Sequence, residues 1–338
     1  MSLSAGVLLK NRWCIGDLLA RGGFGEVYRA QDLLHRERQV AVKIESVHNQ
    51  PSLIQLDWQV MRTMNKRQAL HFLPLLDAGT LYTTNFIVMP LASRNLRELK
   101  KSTPHDRFSV KTTLRVGYQM VEAVRELHEA GWLHRDLKPS NFMFGRQQMS
   151  RRQLFLLDFG CARPYIDCRT GRPKDDRRST GFHGTARYAP INAHRFRDTS
   201  RADDLWSIFY IMVEQVVGRL PWRHTLENKL VLYYKVTADF PYLLGAELER
   251  IYSLIDFQQQ LLYCRDFSAR PPYEKIVKAF GRNLQKEPSV QGEHLFDWER
   301  PDWMDIHFQS QSNYSYDLMS EDGVLRGVRS MAPHAPAQ

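Results

Sequence analysis

The sequence predicts an α+β chain of two unequal lobes, a small β-rich one over residues 13–91 and a larger helical one over 92–287. Extensions flank them at 1–12 and 288–338. Three observations predict this layout. Val, Ile and Tyr crowd two short runs before residue 90, Glu26 to Ala30 and Gln39 to Glu45, as strands favour. After Leu91 the apolar residues recur at helical spacing over long stretches. Beyond Glu287 the chain turns acidic and then rich in Ser, Gln, Ala and Pro, a composition expected of a partly ordered extension with a disordered end.

Taken in order, a glycine-rich turn precedes the two strands, and Leu53 to Met64 carries Leu53, Leu56, Val60 and Met64 at the spacing of a single helix. Ser109 is placed to cap a helix running to Ala130, with Val110, Leu114, Val121, Val124 and Leu127 on one face and Gly131 as its stop. A third helix is expected to open at Asp204, run through Val217 and end at Gly218.

Composition excludes several classes. The longest apolar stretch, Leu205 to Val217, is interrupted by Glu214 and Gln215 and is too short to cross a bilayer, so no membrane partner is expected. The four cysteines form no C-x-x-C pair and no disulfide framework, which suits a reducing, cytoplasmic setting with access to the nucleus left open. Cys161, Cys168 and His183 lie close in sequence, but their spacing matches no zinc pattern. No heptads suggest a dimer, so a monomer is expected. The net charge of +10 is uneven: Gly145 to Arg178 holds nine basic and four acidic residues, while Gln291 onward holds three basic and eight acidic. Nucleic acid is not expected as a partner, because the basic residues lack aromatic interleaving. A solvated surface and an anion site beside an active centre remain as readings of the basic stretch.

Four motifs carry chemistry. Leu19-Ala20-Arg21-Gly22-Gly23-Phe24-Gly25-Glu26-Val27 precedes a strand, and glycines there let backbone N–H groups approach phosphates closely. Val40-Ala41-Val42-Lys43 sends a lysine out of an apolar strand. His134-Arg135-Asp136-Leu137-Lys138-Pro139-Ser140-Asn141 follows a helix, and Asp158-Phe159-Gly160 stands 22 residues after Asp136. The octet and the order of all four resemble the signature set of protein kinases, which implies a bilobal protein-kinase fold. Phosphoryl transfer asks the protein to align a nucleophile and neutralise charge. Asp136 then accepts the substrate hydroxyl proton, and Lys138 places a positive charge beside the γ-phosphate. Lys43 holds the α- and β-phosphates of ATP. Asn141 and Asp158 offer the hard oxygen ligands that suit Mg²⁺. Lysine at position 138 points to serine/threonine rather than tyrosine specificity.

Gly184-Thr185-Ala186-Arg187-Tyr188-Ala189-Pro190-Ile191-Asn192-Ala193-His194 resembles the segment that replaces A-P-E in the casein kinase 1 superfamily. Leu133 to Arg146, Asp203 to Trp222 and Phe296-Asp297-Trp298-Glu299 are similar to the tau-tubulin kinase branch, and the likeness covers residues 13–299. The resemblance implies further roles. Met89 is the gatekeeper, with Pro90 and Ala92 facing adenine, and Leu19, Val27, Ala41 and Met143 sandwich the base. Thr185 contacts Asp136 and Lys138. Arg187 matches an anion-site position, and Arg178 joins it among the activation-segment basic residues. Such kinases favour acidic or already phosphorylated protein substrates; tubulin and tau make cytoskeletal proteins the implied class.

Two departures from the family stand out. Its N-lobe helix carries Glu where this chain has Asp57, a methylene shorter by about 1.5 Å, so the helix must sit closer or hold Lys43 less well. The first phosphate-loop glycine is Ala20, although Gly22 and Gly25 remain. These departures support a competing reading, a weakly active or inactive kinase-fold scaffold that binds partners through its basic surface. The acidic tail, with Ser315, Ser320, Glu321 and Asp322, resembles an acidic substrate and is a candidate autoinhibitory segment.

Overall fold

The β4 strand (Gln39–Ser46) shows how the sequence divides its two faces. Val40, Val42 and Ile44 point one way and join Trp13, Ile15, Tyr28, Phe86 and Val88 in an outer N-lobe core. Ala41, Lys43 and Glu45 alternate to the other face, as period-two side chains must. The computed structural model that shows this describes residues 3–22, 25–49, 52–147, 150–177, 179–264, 266–287 and 295–300. Gly23, Arg178 and the tail beyond residue 300 lie outside the described residues.

The N-lobe is one antiparallel sheet in the order β1-β2-β3-β4-β6-β5. Its strands are β1 (Leu8–Leu9), β2 (Trp13–Gly22), β3 (Gly25–Asp32), β4, β5 (Asp77–Leu81) and β6 (Thr84–Pro90). Leu8–Leu9 pairs with Trp13 and Cys14, so the segment ahead of Trp13 adds an edge strand to this sheet. Helix α1 (Leu53–Arg67) packs against β4 and β6. Ser52 makes no capping bond of its own; instead Glu45 of β4 accepts from the Leu53 and Ile54 N–H groups, a carboxylate at a helix N-terminus. That contact sets the entry of α1 beside the strand carrying Lys43. The buried residues of α1 are Ile54, Asp57, Val60, Met61 and Met64, while Leu53 and Leu56 are only half-buried. The expected apolar stripe is thus rotated, because the face meeting the cleft includes a carboxylate that a hydrophobic count skips.

The C-lobe is built on α3 (Val110–Glu129) and α5 (Arg201–Val217), with α2 (Leu96–Lys101), α4 (Ile191–His194), α6 (Asn228–Thr237), α7 (Phe240–Leu244), α8 (Tyr252–Tyr263) and α9 (Tyr273–Lys286) around them. Ser109 caps α3 through Thr112 N–H, and Gly131 beyond its end takes a left-handed φ of 88°. Helix α5 is buried almost throughout, which accounts for its apolar composition. It begins three residues earlier than expected: Ser200 and Asp203 form a capping box, which frees Asp204 in the first turn for another task. Short pairs complete the lobe, β7 (Trp132–Leu133) with β10 (Arg163–Pro164) and β8 (Phe142–Phe144) with β9 (Leu154–Leu156). The loops between these strands, 134–141 and 157–162, face the cleft below the N-lobe sheet.

Candidate active site

Lys43 Nζ lies 2.7 Å from Asp57 Oδ2 and 3.0 Å from Asp158 Oδ1, joining β4, α1 and the loop after β9. Asp57 uses its second oxygen as well, accepting the Phe159 N–H at 2.6 Å. The shorter side chain therefore reaches Lys43 in full, because α1 sits close enough to touch both. Burial alone would lower the Lys43 pKa, but Asp158 and Asp57 outweigh it and hold the ammonium charged. For Asp158, Lys43 and then Lys138 overcome the cost of burial and keep the carboxyl below its usual range. Asp57 is pushed upward, by burial first, despite its bond to Lys43. Both Asp57 oxygens are committed, to Lys43 and to the Phe159 N–H, so Asp158 is the carboxylate with an oxygen left to face a cation.

The loop 134–141 is fixed from beneath. Buried Asp204 accepts the His134 N–H at 2.7 Å, the Arg135 N–H at 2.8 Å and the His128 ring at 2.9 Å. Arg135 and Asp158 both sit in the left-handed region, at φ of 68° and 65°, a cost of about 1 kcal/mol or more each that persists only where the surroundings over-determine it. His134 and Phe72 both pack on the Phe159 ring, with centroids 5.6 and 5.8 Å away. This stack seats Phe159 inward, and with it the turn that presents Asp158.

Asp136 receives the remaining polar groups. Lys138 Nζ is 3.0 Å from its Oδ2, and the Thr185 hydroxyl donates to its Oδ1 at 2.8 Å. The Asn141 amide donates to the Asp136 carbonyl at 2.9 Å, which commits its NH₂ group to the loop and makes Oδ1 the atom a cation would meet. Asn141 and Asp158 fit Mg²⁺: both supply hard oxygen. Among the described residues no three His, Cys, Asp or Glu side chains gather to hold an ion.

Of the residues expected around adenine, Ala41 and Met89 are buried register partners, and Val27 pairs with Lys43. Leu19, Pro90, Ala92 and Met143 are half-buried, as residues facing a cleft are. Gly22 and Gly25 close the β2–β3 hairpin, and Gly25 has no substitute: at its φ of 114° a Cβ would stand 2.2 Å from the Ile44 carbonyl oxygen.

The basic stretch separates into parts. Arg163 and Arg177 both donate to Asp198, whose carboxyl they pull down to about 2 against the opposing effect of burial. Arg135 donates to the Cys161 carbonyl at 2.8 Å and feels the charges of Arg177 and Arg163. Two guanidinium groups thus share one carboxylate, with Arg135 nearby. Arg169 and Arg172 are exposed. Arg187 is half-buried and reaches the Arg223 carbonyl at 3.3 Å. The Cys161 thiol, raised to about 11 by burial and then by Asp136 and Asp158, is held protonated and is a poor nucleophile.

Sequence reasoning misses the supports of the segment 185–189 beside Asp136. Trp222 Nε1 donates to the Arg187 carbonyl at 2.8 Å, and the Tyr188 hydroxyl donates to buried Glu214 at 2.8 Å. By sequence alone, Glu214 reads as an interruption of an apolar run and Asp204 as a helix opener. A carboxylate inside an otherwise apolar helix is the available signal for Glu214, and none marks Asp204.

Comparison with known proteins agrees with this geometry. The protein kinase domain family matches residues 13–279. A Dictyostelium discoideum protein named "Probable serine/threonine-protein kinase" is 38% identical over 223 residues, 66% of this chain and 44% of that protein. The chain thus spans less than half the length of that relative. A Caenorhabditis elegans protein named "Putative casein kinase I" is 32% identical over 306 residues, 88% of this chain and 86% of the relative.

Proposed function

The chain belongs to the protein kinase family, and from that premise we propose that it transfers the γ-phosphate of ATP to serine and threonine hydroxyls of protein substrates. The observation that carries the reading is the convergence of Lys138 and Thr185 on the Asp136 carboxylate, at 3.0 and 2.8 Å. Asp136 orients the incoming hydroxyl and takes its proton. Lys138, already beside that carboxylate, offers positive charge to the transferring group. Lys43 holds the α- and β-phosphates, and its bonds to Asp57 and Asp158 fix where its ammonium stands. Asn141 and Asp158 would hold Mg²⁺, which when bound neutralises phosphate charge. Thr185 keeps the segment that meets the substrate in register with Asp136.

The finer reading concerns substrate class. Arg163 and Arg177 set two positive charges against the single carboxylate of Asp198, Arg135 stands near enough to feel both, and Arg187 lies on the segment that Thr185 ties to Asp136. Guanidinium groups so gathered suit carboxylate or phosphate, which supports a preference for acidic or pre-phosphorylated proteins. The resemblance to the tau-tubulin kinase branch adds cytoskeletal proteins as the class to try first. Four free cysteines support a reducing, cytoplasmic setting.

The test is transfer of radiolabel from ATP with Mg²⁺ to casein and to tubulin, using the full chain and Asp136→Asn. Label on substrate in the wild type alone supports the enzyme; equal label in both, or none in either, leaves the scaffold reading. Arg187→Glu should reduce transfer to acidic peptides more than to neutral ones, and equal loss on both refutes the acidic preference.

A further inference from the structure

Helix α6 is turned the unusual way round. It exposes Leu230, Tyr233, Tyr234 and Val236, while Val231 and Lys235, four residues apart, face inward. A lysine takes a buried helix position at considerable cost, since burial pushes its ammonium well below the ordinary range. Something must replace the water it gives up.

Three acceptors and two rings do so. Lys235 Nζ donates to the Ala186 carbonyl at 2.8 Å and to the Ala189 carbonyl, and stands 3.0 Å from His194 Nε2. The Tyr210 and Trp222 rings lie 4.9 and 5.5 Å away, within cation–π range. His194 is held neutral, near 4, by burial and by Lys235, and its other ring nitrogen is bonded to Asn228 at the start of the same helix. Asn228 thus orients the ring that faces the lysine.

Both carbonyls belong to one short segment. Ala186 and Ala189 bracket Arg187 and Tyr188, and Thr185 just ahead of them donates to Asp136. Trp222 and Glu214 grip the same segment between the two points that Lys235 holds. Residue 191 is Ile, so no carboxylate is present there to anchor the segment by an ion pair. We propose that Lys235 is a positioning residue for protein substrates, fixing the backbone of residues 186–189 as the wall that a substrate chain meets beside Asp136. The substrate half of this inference rests on the phosphoryl-transfer reading; the backbone half does not.

The test therefore begins with a measurement independent of activity. Hydrogen exchange at the Tyr188 and Ala189 amides, both bonded to the Thr185 carbonyl, is compared in wild type, Lys235→Met and the exposed-face control Tyr233→Ala. Lys235→Met should speed these two amides about tenfold with α5 unchanged, and Tyr233→Ala should leave them as in wild type. Unchanged exchange in a folded Lys235→Met variant overturns the proposal. Should that variant not fold, Asn228→Ala decides: about threefold faster exchange at the two amides is expected, and none overturns it. In the kinetic arm, Lys235→Met should raise the KM for an acidic peptide about tenfold while the KM for ATP stays within about twofold. An equal rise in both overturns the substrate half. A wild type that transfers no phosphate refutes the kinase reading instead, and the exchange result stands by itself.

Discussion

On the side of the cleft proposed to hold the nucleotide, Lys43, Asp57 and Asp158 meet through their own charged atoms, within 3.0 Å. On the substrate side, Arg187 and Ala186 are held by their carbonyls, which Trp222 and Lys235 reach from 35 and 49 residues further along the chain. The first side is sensitive to side-chain length and charge, because each contact buries an ion. The second is sensitive to backbone shape, because the groups that matter there are carbonyl oxygens with no identity of their own. Loss of one contact should therefore cost more on the nucleotide side, while on the substrate side the loss should spread over several supports.

The largest expected effect tests the first half of that contrast. Asp57→Ala strips one of the two carboxylates from the buried Lys43 and leaves the Phe159 N–H without its acceptor. Removing one partner of a buried pair costs about 3 kcal/mol of folding stability; separately, a Lys43 held by one carboxylate in place of two should lower kcat/KM about a hundredfold. Asp57→Glu sharpens the point. Asp57 already spans Lys43 and Phe159 at 2.7 and 2.6 Å, so an extra methylene must be accommodated, and about a tenfold loss is expected from overpacking. A gain in activity from Glu would show that α1 is not fitted to the shorter side chain.

Thr185→Val probes the seam between the two sides. It deletes the 2.8 Å bond to Asp136 and keeps the shape of the side chain. A lost bond to a charged group is worth about 1.5 kcal/mol, so kcat should fall about tenfold, with the KM for ATP unchanged in steady-state assays.

Asp198 gives the substrate side its acid dependence. Its carboxyl is depressed to about 2 in the fold, below the ordinary 3.8, by Arg177 and Arg163. A depressed folded pKa contributes stability above the unfolded value and loses it as pH falls toward the folded one. Asp198→Asn should therefore lower Tm at pH 7 by about 5 °C, and the gap should narrow below about pH 4. A gap that stays constant to pH 3 in thermal melts would mean that the pairing with the two arginines contributes nothing.

The same contrast explains what the sequence made legible. Asp136, Lys138, Asn141 and Asp158 are legible as candidates because they fall within two short motifs of the kinase signature set. The β-rich lobe and the Ser109 cap were readable from local pattern. Lys235, Glu214, Trp222 and Asp204 were not, since each acts through tertiary contact with a backbone group or a distant side chain, and no local period marks that. Asp57 fell between the two: a likeness placed it, but only the packing of α1 by Glu45 shows why the shorter residue reaches.

The smallest expected effect concerns the other departure, Ala20. It lies in the β2–β3 ladder opposite Val27 and is half-buried, so its methyl points along a strand surface. The position that demands glycine is Gly25, whose φ of 114° and 2.2 Å approach to the Ile44 carbonyl admit no side chain. Gly22 has open space around it. Ala20→Gly should then change the KM for ATP less than about twofold while costing about 0.5–1 kcal/mol of stability, the ordinary penalty for glycine in a strand. Gly25→Ala should instead distort the hairpin and raise the KM for ATP about tenfold or more. If nucleotide titrations rank the two in the reverse order, phosphate approach is governed by the first turn of the loop, and the nucleotide side depends on backbone shape as much as the substrate side does.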